Sequence, residues 1–394
     1  MTATVENTAP PRGFDQGEFE ARLARAQSAM RDARMDAILL TNEPEVRYFT
    51  GFHTQFWESP TRPWFVLLPL SGKPIAVIPE IGRAGMEATW IDDIRSWPAP
   101  RPADDGVSLL IAALGELPRR FGRLGLPMGH ESLIRMPLSD YLTVIAGAEG
   151  LEPVDAAPLL HGLRFIKSSA EIDKIRQACT ITSAAFEGLP NLMQAGQSEL
   201  EICRAFRIDL LRRGADQSPY LIAGSGPGGY DSIIMGPTER IVEEGDVLII
   251  DTGTIYDGYF CDFDRNFAFG RADDAVRQAY RTVFEATEAG FRAARPGATT
   301  SELWTAMWQV MEAGGALGNS VGRLGHGLGM ELTEWPSNTA EDGTVLAPGA
   351  VLTLEPGMEF LPGRQMVHEE NIVITDSGAE WLTRRAAPEL PVVT

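Results

Sequence analysis

Acidic side chains are concentrated in the segment DTGTIYDGYFCDFD, which directly follows the apolar run GDVLII. Asp251, Asp257, Asp262 and Asp264 all fall within this short segment. The apolar run predicts a buried strand, and a buried carboxylate without a partner costs several kcal/mol. We therefore expect basic side chains or metal ions to neutralise these acids.

A turn at Tyr256-Asp257-Gly258 would fold this segment into a hairpin, with Asp257 as the turn residue. A strict Asp-Gly turn of type I′ sets Asp251 opposite Asp264, and a one-residue shift of register brings Asp251 opposite Asp262 instead. Both pairings stay open at this point. Asp262 and Asp264 share one face of their strand in either case.

Further polar residues that could take part in chemistry lie in the last third of the chain. His326 is flanked by glycines in LGHGLG, which let backbone segments approach closely. Glu355 ends the apolar run VLTLE, and Glu370 lies in a second apolar run, HEENIVIT. His368 precedes Glu370 by two residues and is predicted on the same strand face.

A metal site explains these residues better than separate core roles do. Each residue alone could be a hydrogen-bonded core residue, and Arg265, Arg323 and Arg364 could neutralise part of the charge. Four carboxylates with one imidazole suit Mn, Fe, Co or Zn, and bridging carboxylates favour two ions. The five predicted ligands are Asp251, Asp262, His326, Glu355 and Glu370.

Composition restricts the classes of partner. The 394 residues suggest two domains, and a net charge of −20 argues against nucleic acid and anionic membranes as partners. A small cationic or zwitterionic substrate remains compatible with that charge. Three cysteines without a CxxC pattern, and an N-terminus without a basic or long apolar stretch, lead us to expect a cytoplasmic protein without disulfides or membrane spans.

The N-terminal part predicts an α/β domain over residues 14–160 after a flexible tail at 1–13. Its expected elements are a helix at 15–35, a strand at 36–41, a hairpin formed by WFVLLPL and PIAVIP, and helices at 107–119 and 137–147.

The segment TGFHTQFWESPTRPW, residues 50–64, is rich in aromatic residues and also contains His53 and Arg62. It is either an irregular loop that packs its own aromatic side chains or a loop offered to a site or partner. In the second case, Trp57 would contact a cationic or zwitterionic substrate through cation–π attraction.

The C-terminal part, residues 161–394, repeats one order of elements. Each half reads as two helices followed by strands, and three capping boxes mark helix starts. The boxes pair Ser168 with Glu171, Ser198 with Glu201, and Thr299 with Glu302. Two such halves could form a strongly curved sheet with helices outside and the site on the concave face.

The five predicted ligands resemble, in order, spacing and context, those of the "pita-bread" metallopeptidases. This family includes aminopeptidase P, prolidase, methionine aminopeptidase and creatinase. The resemblance rests on GDVLIIDTG, DGYFCDFDR, GHGLG, TLEPG and EEN, while LRFIKSSAEI and the N-terminal domain resemble the creatinase/prolidase branch. It implies an α+β chain with a pita-bread C-terminal domain of pseudo-twofold halves, an N-terminal α/β creatinase-like domain, two metal ions and a homodimer.

Several positions depart from the prolidase-like pattern, which carries substrate-binding histidines that this chain lacks. The departures are Thr333, the pair Ile234 and Met235, His368, Asn371 and Asp264. All five predicted metal ligands are present, but the residues that bind the peptide differ from those of the prolidase-like pattern. We therefore expect weak activity on ordinary Xaa-Pro dipeptides.

The resemblance implies a metallohydrolase that cleaves an amide or related C–N bond in a dipeptide or another small substrate. Glu355 would accept a proton from the attacking water, and His368 would shuttle protons. The expected substrate-binding residues are His53, Trp57, Arg62, Thr333 and Asp264.

Two alternatives remain. The stretch QFWESPTRP around Trp57 resembles a loop of dimethylsulfoniopropionate-cleaving lyases of the same fold, although those lyases have a DxD-like first ligand where this chain has Asp251-Thr252-Gly253. Some relatives only bind proteins, but these usually lose metal ligands.

Overall fold

The computed structural model describes residues 9–318 and 322–394. Most of the predicted N-terminal tail, residues 1–8, lies outside this range. The chain forms two compact units, Pro11–Arg164 and Phe165–Thr394, and Pro10 is grouped with the second. Within the described ranges, no helix has both the length and the apolar character needed to cross a membrane.

The N-terminal unit is built on a six-stranded mixed sheet with the order β4-β3-β2-β1-β5-β6. Its strands are β1 (Ala37–Leu40), β2 (Phe65–Pro69), β3 (Ile75–Pro79), β4 (Asp93–Trp97), β5 (Arg123–Leu126) and β6 (Glu152–Asp155). Its helices are α1 (Gln16–Ala33), α2 (Glu43–Thr50), α3 (Arg83–Glu87), α4 (Val107–Glu116), α5 (Leu138–Gly147) and α6 (Ala157–Phe165), with 3₁₀ turns at Gln55–Glu58 and Glu80–Gly82. The fully buried run AILL of β1 lies inside the sheet, as a continuous apolar strand requires.

The C-terminal unit contains two five-stranded sheets, with the orders β18-β10-β8-β7 plus β9, and β12-β11-β13-β16-β17, and the separate pair β14-β15. Its helices are α7 (Ser169–Gly188), α8 (Glu199–Arg212), α9 (Asp274–Ala293) and α10 (Thr300–Ala313), with a 3₁₀ turn at Leu189–Asn191. The first strands are β7 (Gln217–Pro227), β8 (Asp246–Tyr256), β9 (Tyr259–Phe260) and β10 (Phe263–Phe269). The later strands are β11 (His326–Gly327), β12 (Glu334–Ser337), β13 (Val351–Leu354), β14 (Gly357–Leu361), β15 (Arg364–Val367), β16 (Glu370–Thr375), β17 (Gly378–Trp381) and β18 (Val392–Val393).

Local hydrogen bonds start the helices of this unit where the sequence predicts them. In α7, α8 and α10, the cap hydroxyl accepts the backbone N–H three residues on, and the glutamate at that position accepts the cap N–H. The observed order, two helices and then strands, occurs in both halves. One apolar core beneath α9 and α10 includes Val283, Met307, Leu352 and Ile372.

Candidate metal centre

The hairpin of β8 and β10 has the register that a strict Asp-Gly turn of type I′ predicts. Asp257 and Gly258 have φ values of 50° and 84°, as a type I′ turn requires. Asp251 on β8 therefore lies directly opposite Asp264 on β10. Asp257 is the turn residue, and its carboxylate accepts a hydrogen bond from Lys174 Nζ at 2.6 Å.

Two groups of ligand atoms meet beside this hairpin, and each is compact enough to surround a metal ion. One group contains Asp262, His326 and Glu355, and the other contains Asp251, Asp262 and Glu369. Within each group, the ligand atoms lie within 4.8 Å of one another. Asp262 belongs to both groups, so its carboxylate can serve two adjacent ions.

His326 is held so that Nε2 faces the carboxylates. Its Nδ1 donates to Gly327 O at 2.8 Å, which leaves Nε2 2.9 Å from Glu355 Oε1 and 3.2 Å from Asp262 Oδ2. Burial alone would lower the pKa of His326, but the charges of Glu355 and Asp262 outweigh burial and raise that pKa to about 10. A hydrogen bond from Nδ1 to a carbonyl is the usual way in which a metal-binding histidine is oriented.

Glu355 follows β13 and is the most exposed acid of the set, with 12% of its side chain accessible. Its Oε1 accepts a hydrogen bond from Thr353 Oγ1 at 2.7 Å. Burial by itself would raise the pKa of Glu355, but the charge and hydrogen bond of His326 lower it to about 2.

The charge balance of the cluster fits a bound cation. Asp251 Oδ1 is buried and has no hydrogen-bond partner. Burial, with the charges of Asp262 and Asp264, raises the pKa of Asp251 well above its ordinary value. Burial and the charges of Asp251 and Glu355 do the same for Glu369. One imidazole cannot balance this many buried carboxylates, and an oxygen-rich set with one nitrogen is the donor set of Mn, Fe, Co or Zn.

The geometry corrects the fifth predicted ligand from Glu370 to Glu369. Glu370 turns away from the two groups, and its carboxylate receives Arg265 Nη2 at 3.2 Å, Arg385 Nη1 at 3.0 Å and the hydroxyl of Thr383. Adjacent residues of an extended segment point to opposite sides, so only one of the two glutamates can face Asp251 and Asp262.

His368 lies on the Glu370 side and is completely buried. Its Nε2 is 3.3 Å from Glu370 Oε1 and accepts a hydrogen bond from Arg385 Nη1 at 3.1 Å. Burial, together with the charges of Arg265 and Arg385, lowers the pKa of His368 to about 4. The structure does not bring His368 into either ligand group, and this placement argues against the predicted proton shuttle.

Two predicted substrate-binding residues lie in this unit. Asp264 is fully buried, and its oxygens accept hydrogen bonds from Glu369 N at 2.7 Å and Asn266 Nδ2 at 3.0 Å. In this position the carboxylate of Asp264 binds the backbone N–H of Glu369 and does not face a substrate. Thr333 is half-buried, and its hydroxyl accepts a hydrogen bond from Arg323 Nη2 at 3.4 Å.

The aromatic loop 50–64 packs mainly within its own unit, as the first of the two interpretations of this segment predicts. Trp57 and Trp64 are buried, with ring centroids 5.9 Å apart. His53 is exposed, with Nδ1 3.3 Å from Glu43 Oε1, and the guanidinium of Arg62 lies 5.3 Å from the ring centre of the exposed Phe56. Substrate binding by His53, Trp57 and Arg62 stays a prediction.

Sequence reasoning missed Tyr220 as a neighbour of the ligand groups and considered Arg323 only as a charge that could neutralise the acids. The hydroxyl of Tyr220 on β7 donates a hydrogen bond to Asp262 Oδ1, and burial raises the pKa of Tyr220 well above its usual value. The positive charge of Arg323 contributes to the low pKa of Glu355. Tyr220 lies two strands away from β10 in the pairing order, so no local signal in the sequence shows that it will meet a carboxylate.

Comparison with known proteins defines the class. Residues 173–376 match metallopeptidase family M24, and residues 22–166 match the creatinase/prolidase N-terminal domain. The chain belongs to metallopeptidase family M24 and is a metallohydrolase of that family. The predicted fold, a creatinase-type N-terminal domain with an M24 C-terminal domain, is confirmed, as is the predicted metal dependence.

Individual relatives are dipeptidases and Xaa-Pro peptidases. The chain is 30% identical over 381 residues to a probable dipeptidase, PepE, of Mycobacterium tuberculosis (strain ATCC 25618 / H37Rv), covering 93% of this chain and 95% of that protein. The crystal structure of dipeptidase PepE from Mycobacterium ulcerans is similar with a TM-score of 0.84 and 28% identity, over 97% of this chain and 99% of that chain. An Xaa-Pro dipeptidase from Bacillus anthracis is similar with a TM-score of 0.81 and 26% identity, over 95% and 99% of the two chains.

Proposed function

We propose that this protein is a dinuclear metal-dependent hydrolase that cleaves the amide bond of a dipeptide or a similarly small substrate. The observation that carries this proposal is the pair of ligand groups that share Asp262. Asp251 and Glu369 complete one group, and His326 and Glu355 complete the other.

Two divalent ions in these groups would lower the pKa of a water molecule towards neutrality and polarise the substrate carbonyl. The residues of the chain prepare the site for this chemistry. His326 Nε2 must lose its proton before it can act as a ligand, because that nitrogen holds the proton shared with Glu355 and Asp262. Tyr220 fixes the orientation of Asp262 through its hydroxyl.

Glu355 is the proposed proton acceptor. It is the most exposed acid of the two groups, so water and substrate reach it first. The Thr353 hydroxyl donates to Oε1 and fixes the carboxylate plane. A proton that Glu355 takes from water would pass to the leaving amine, as general acid–base catalysis requires.

Arg323 is the proposed partner for a carboxylate of the substrate. It lies close enough to lower the pKa of Glu355, and it donates to Thr333 Oγ1. The relatives are named as dipeptidases, and a dipeptide carries a free carboxylate close to its scissile bond. A fixed guanidinium suits a carboxylate better than any other side chain does.

The substrate is proposed to differ from an ordinary Xaa-Pro dipeptide. Thr333 occupies one position where prolidase-like enzymes carry a histidine, and Ile234 and Met235 occupy the other. Both Ile234 and Met235 are strongly exposed and apolar, so they cannot replace the hydrogen bonds of an imidazole.

A substrate screen of the Mn²⁺-loaded protein tests the proposal. Xaa-Pro dipeptides, other dipeptides, cyclic amidines and small betaines are compared, with Asp262→Ala as the metal-deficient control. We expect hydrolysis of a dipeptide or small amide, with kcat/KM on Xaa-Pro dipeptides below about 10⁴ M⁻¹s⁻¹. Elimination from a betaine without any hydrolysis would instead favour the lyase alternative. Full activity of Asp262→Ala would contradict a metal-dependent reaction.

A further inference from the structure

Two fully buried residues that the proposed reaction does not use lie behind the ligand groups. They are Asp264 and Asn371. Asp264 lies two residues after Asp262, and Asn371 lies two residues after Glu369. Each polar side chain thus follows an acid of the ligand groups at the same spacing.

Asn371 holds the backbone of Asp262, and Asp264 holds the backbone of Glu369. Asp262 N donates to Asn371 Oδ1 at 3.0 Å, and Asn371 Nδ2 donates back to Asp262 O. Glu369 N donates to Asp264 Oδ1 at 2.7 Å. We call this arrangement, formed by Asp264 and Asn371, the reciprocal clamp.

A second layer fixes the orientation of both clamp side chains. Asn371 Oδ1 also accepts a hydrogen bond from the thiol of Cys179 at 3.4 Å, and a reversed amide would place its NH₂ group against the backbone N–H of Asp262. Asp264 Oδ2 accepts a hydrogen bond from Asn266 Nδ2, which also donates to Val367 O at 2.7 Å. Because the backbone N–H of Asp262 can only donate and the carbonyl of Val367 can only accept, the amide orientations of Asn371 and Asn266 are both fixed.

The clamp opposes a force that the ligand groups themselves create. Asp262 and Glu369 are buried acids within one group, and like charges at short range repel each other. Without a restraint, this repulsion would move the two backbone segments apart in the metal-free protein. A metal ion tolerates deviations of only about 0.2 Å in ligand distance, so the segments must already be close when the ion arrives.

We propose that Asp264 and Asn371 are positioning residues that set the separation of Asp262 and Glu369 for metal binding. Asn371 acts on both ions, because Asp262 belongs to both ligand groups. Asp264 acts chiefly on the ion bound by Asp251, Asp262 and Glu369, because it holds only Glu369. This inference rests on the proposed dinuclear site.

Calorimetric titration of the metal-free protein with Mn²⁺ tests the clamp, with electron paramagnetic resonance of the bound Mn²⁺ as a second readout. Asn371→Ala should weaken both binding steps by about 10–100-fold, the usual effect of losing a residue that orients ligands. Asp264→Ala should weaken one step by a similar factor and leave the other close to wild type. Both variants should lose the spin coupling between two adjacent Mn²⁺ ions.

Two further variants separate positioning from charge and from general destabilisation. Asp264→Asn removes the charge but keeps an oxygen acceptor for Glu369 N, so it should bind Mn²⁺ more tightly than Asp264→Ala does. Thr182→Val changes a fully buried residue that contacts Thr254 and the thiol of Cys261 at 2.9 and 3.2 Å. It lies outside the clamp and should keep both wild-type binding constants.

The outcomes separate the clamp from the proposed function. If the wild-type protein fails to bind two Mn²⁺ ions, the dinuclear function fails. If it binds two, but Asn371→Ala and Asp264→Ala bind both with wild-type constants, the clamp is wrong and the function stands. Equal weakening by Asp264→Asn and Asp264→Ala would also overturn the clamp, since charge alone would explain it. Should Asn371→Ala fail to fold, the two Asp264 variants decide.

Discussion

Glu369 and Glu370 are neighbours in the chain and have opposite surroundings. Glu369 meets Asp251 and Asp262, which add to its negative environment. Glu370 meets the guanidinium groups of Arg265 and Arg385. We therefore expect the first glutamate to serve metal binding and the second to serve stability.

Substitution of each glutamate by glutamine separates these roles. Glu369→Gln should lower the bound metal measured by elemental analysis without lowering the melting temperature of the metal-free protein. Glu370→Gln should destabilise the fold by about 3–5 kcal/mol, because removing one partner leaves buried charges uncompensated. Metal content per folded protein should persist in Glu370→Gln, and the reverse pattern would restore Glu370 as the ligand.

Arg323 offers a second test at the residue scale. Arg323→Met should raise KM for a dipeptide by about tenfold or more, because a hydrogen bond to a charged group contributes about 1.5–3 kcal/mol. Arg323→Lys should lie between Met and wild type, since lysine retains the charge but not the planar fork. A substrate with an amidated C-terminus supplies the control, and an equal effect on it would argue against carboxylate binding.

The β8–β10 hairpin is the element on which the site depends. Gly253 allows the two strands to approach, because a Cβ atom at this position would overlap the carbonyl oxygen of Cys261 and lie 3.0 Å from the ring of Tyr220. Cys261 directly precedes Asp262 in the chain, and the hydroxyl of Tyr220 donates a hydrogen bond to Asp262. A bulkier residue at 253 would therefore move a ligand as well as a strand.

Gly253→Ala should destabilise the protein by about 1–3 kcal/mol, the usual cost of overpacking, and also reduce Mn²⁺ affinity. Urea unfolding and metal titration measure the two effects. Gly343→Ala is the matched control, because Gly343 is exposed with an ordinary φ and has no neighbouring atom within 4 Å of where a Cβ would lie. Indistinguishable stabilities of the two variants would show that the hairpin tolerates a Cβ atom at 253.

Metal binding should stabilise the C-terminal unit as a whole. Mutual repulsion of the carboxylates opposes folding of the metal-free protein, and an ion that binds only the folded state at 100 times its Kd adds about 2.7 kcal/mol. We expect chelation to lower the melting temperature and to speed hydrogen exchange in β8, β10 and β16. Addition of Mn²⁺ should restore the melting temperature and the slow exchange. Hydrogen exchange in these strands that is the same with and without metal would count against the site.

The homodimer implied by the family resemblance stays a prediction for the whole molecule. If loop 50–64 of one protomer completes the site of its partner, Trp57→Ala and Asp262→Ala protomers, each inactive alone, should regain activity when mixed. Sedimentation gives the oligomeric state, and mixtures of each variant with itself are the controls. A fully active monomer, or no recovery on mixing, would argue that Trp57 serves only to pack against Trp64.

Local signals in the sequence determined the elements and the order of the acids. Capping boxes at Ser168, Ser198 and Thr299 fixed helix starts, because their hydrogen bonds span only three residues. The Asp257-Gly258 dipeptide fixed the hairpin, because both positions accept positive φ. The resemblance to known metallopeptidases then predicted the fold.

Tertiary structure alone decided which side chains meet. The choice of Glu369 over Glu370 depends on a one-residue difference that reverses the face of an extended segment, and composition cannot resolve it because both residues are glutamates. One hydrogen bond of the reciprocal clamp, from Asp262 N to Asn371 Oδ1, joins residues 109 positions apart. Such contacts follow from how the two halves pack together, since no local hydrogen bond or periodicity encodes a partner so distant in the chain.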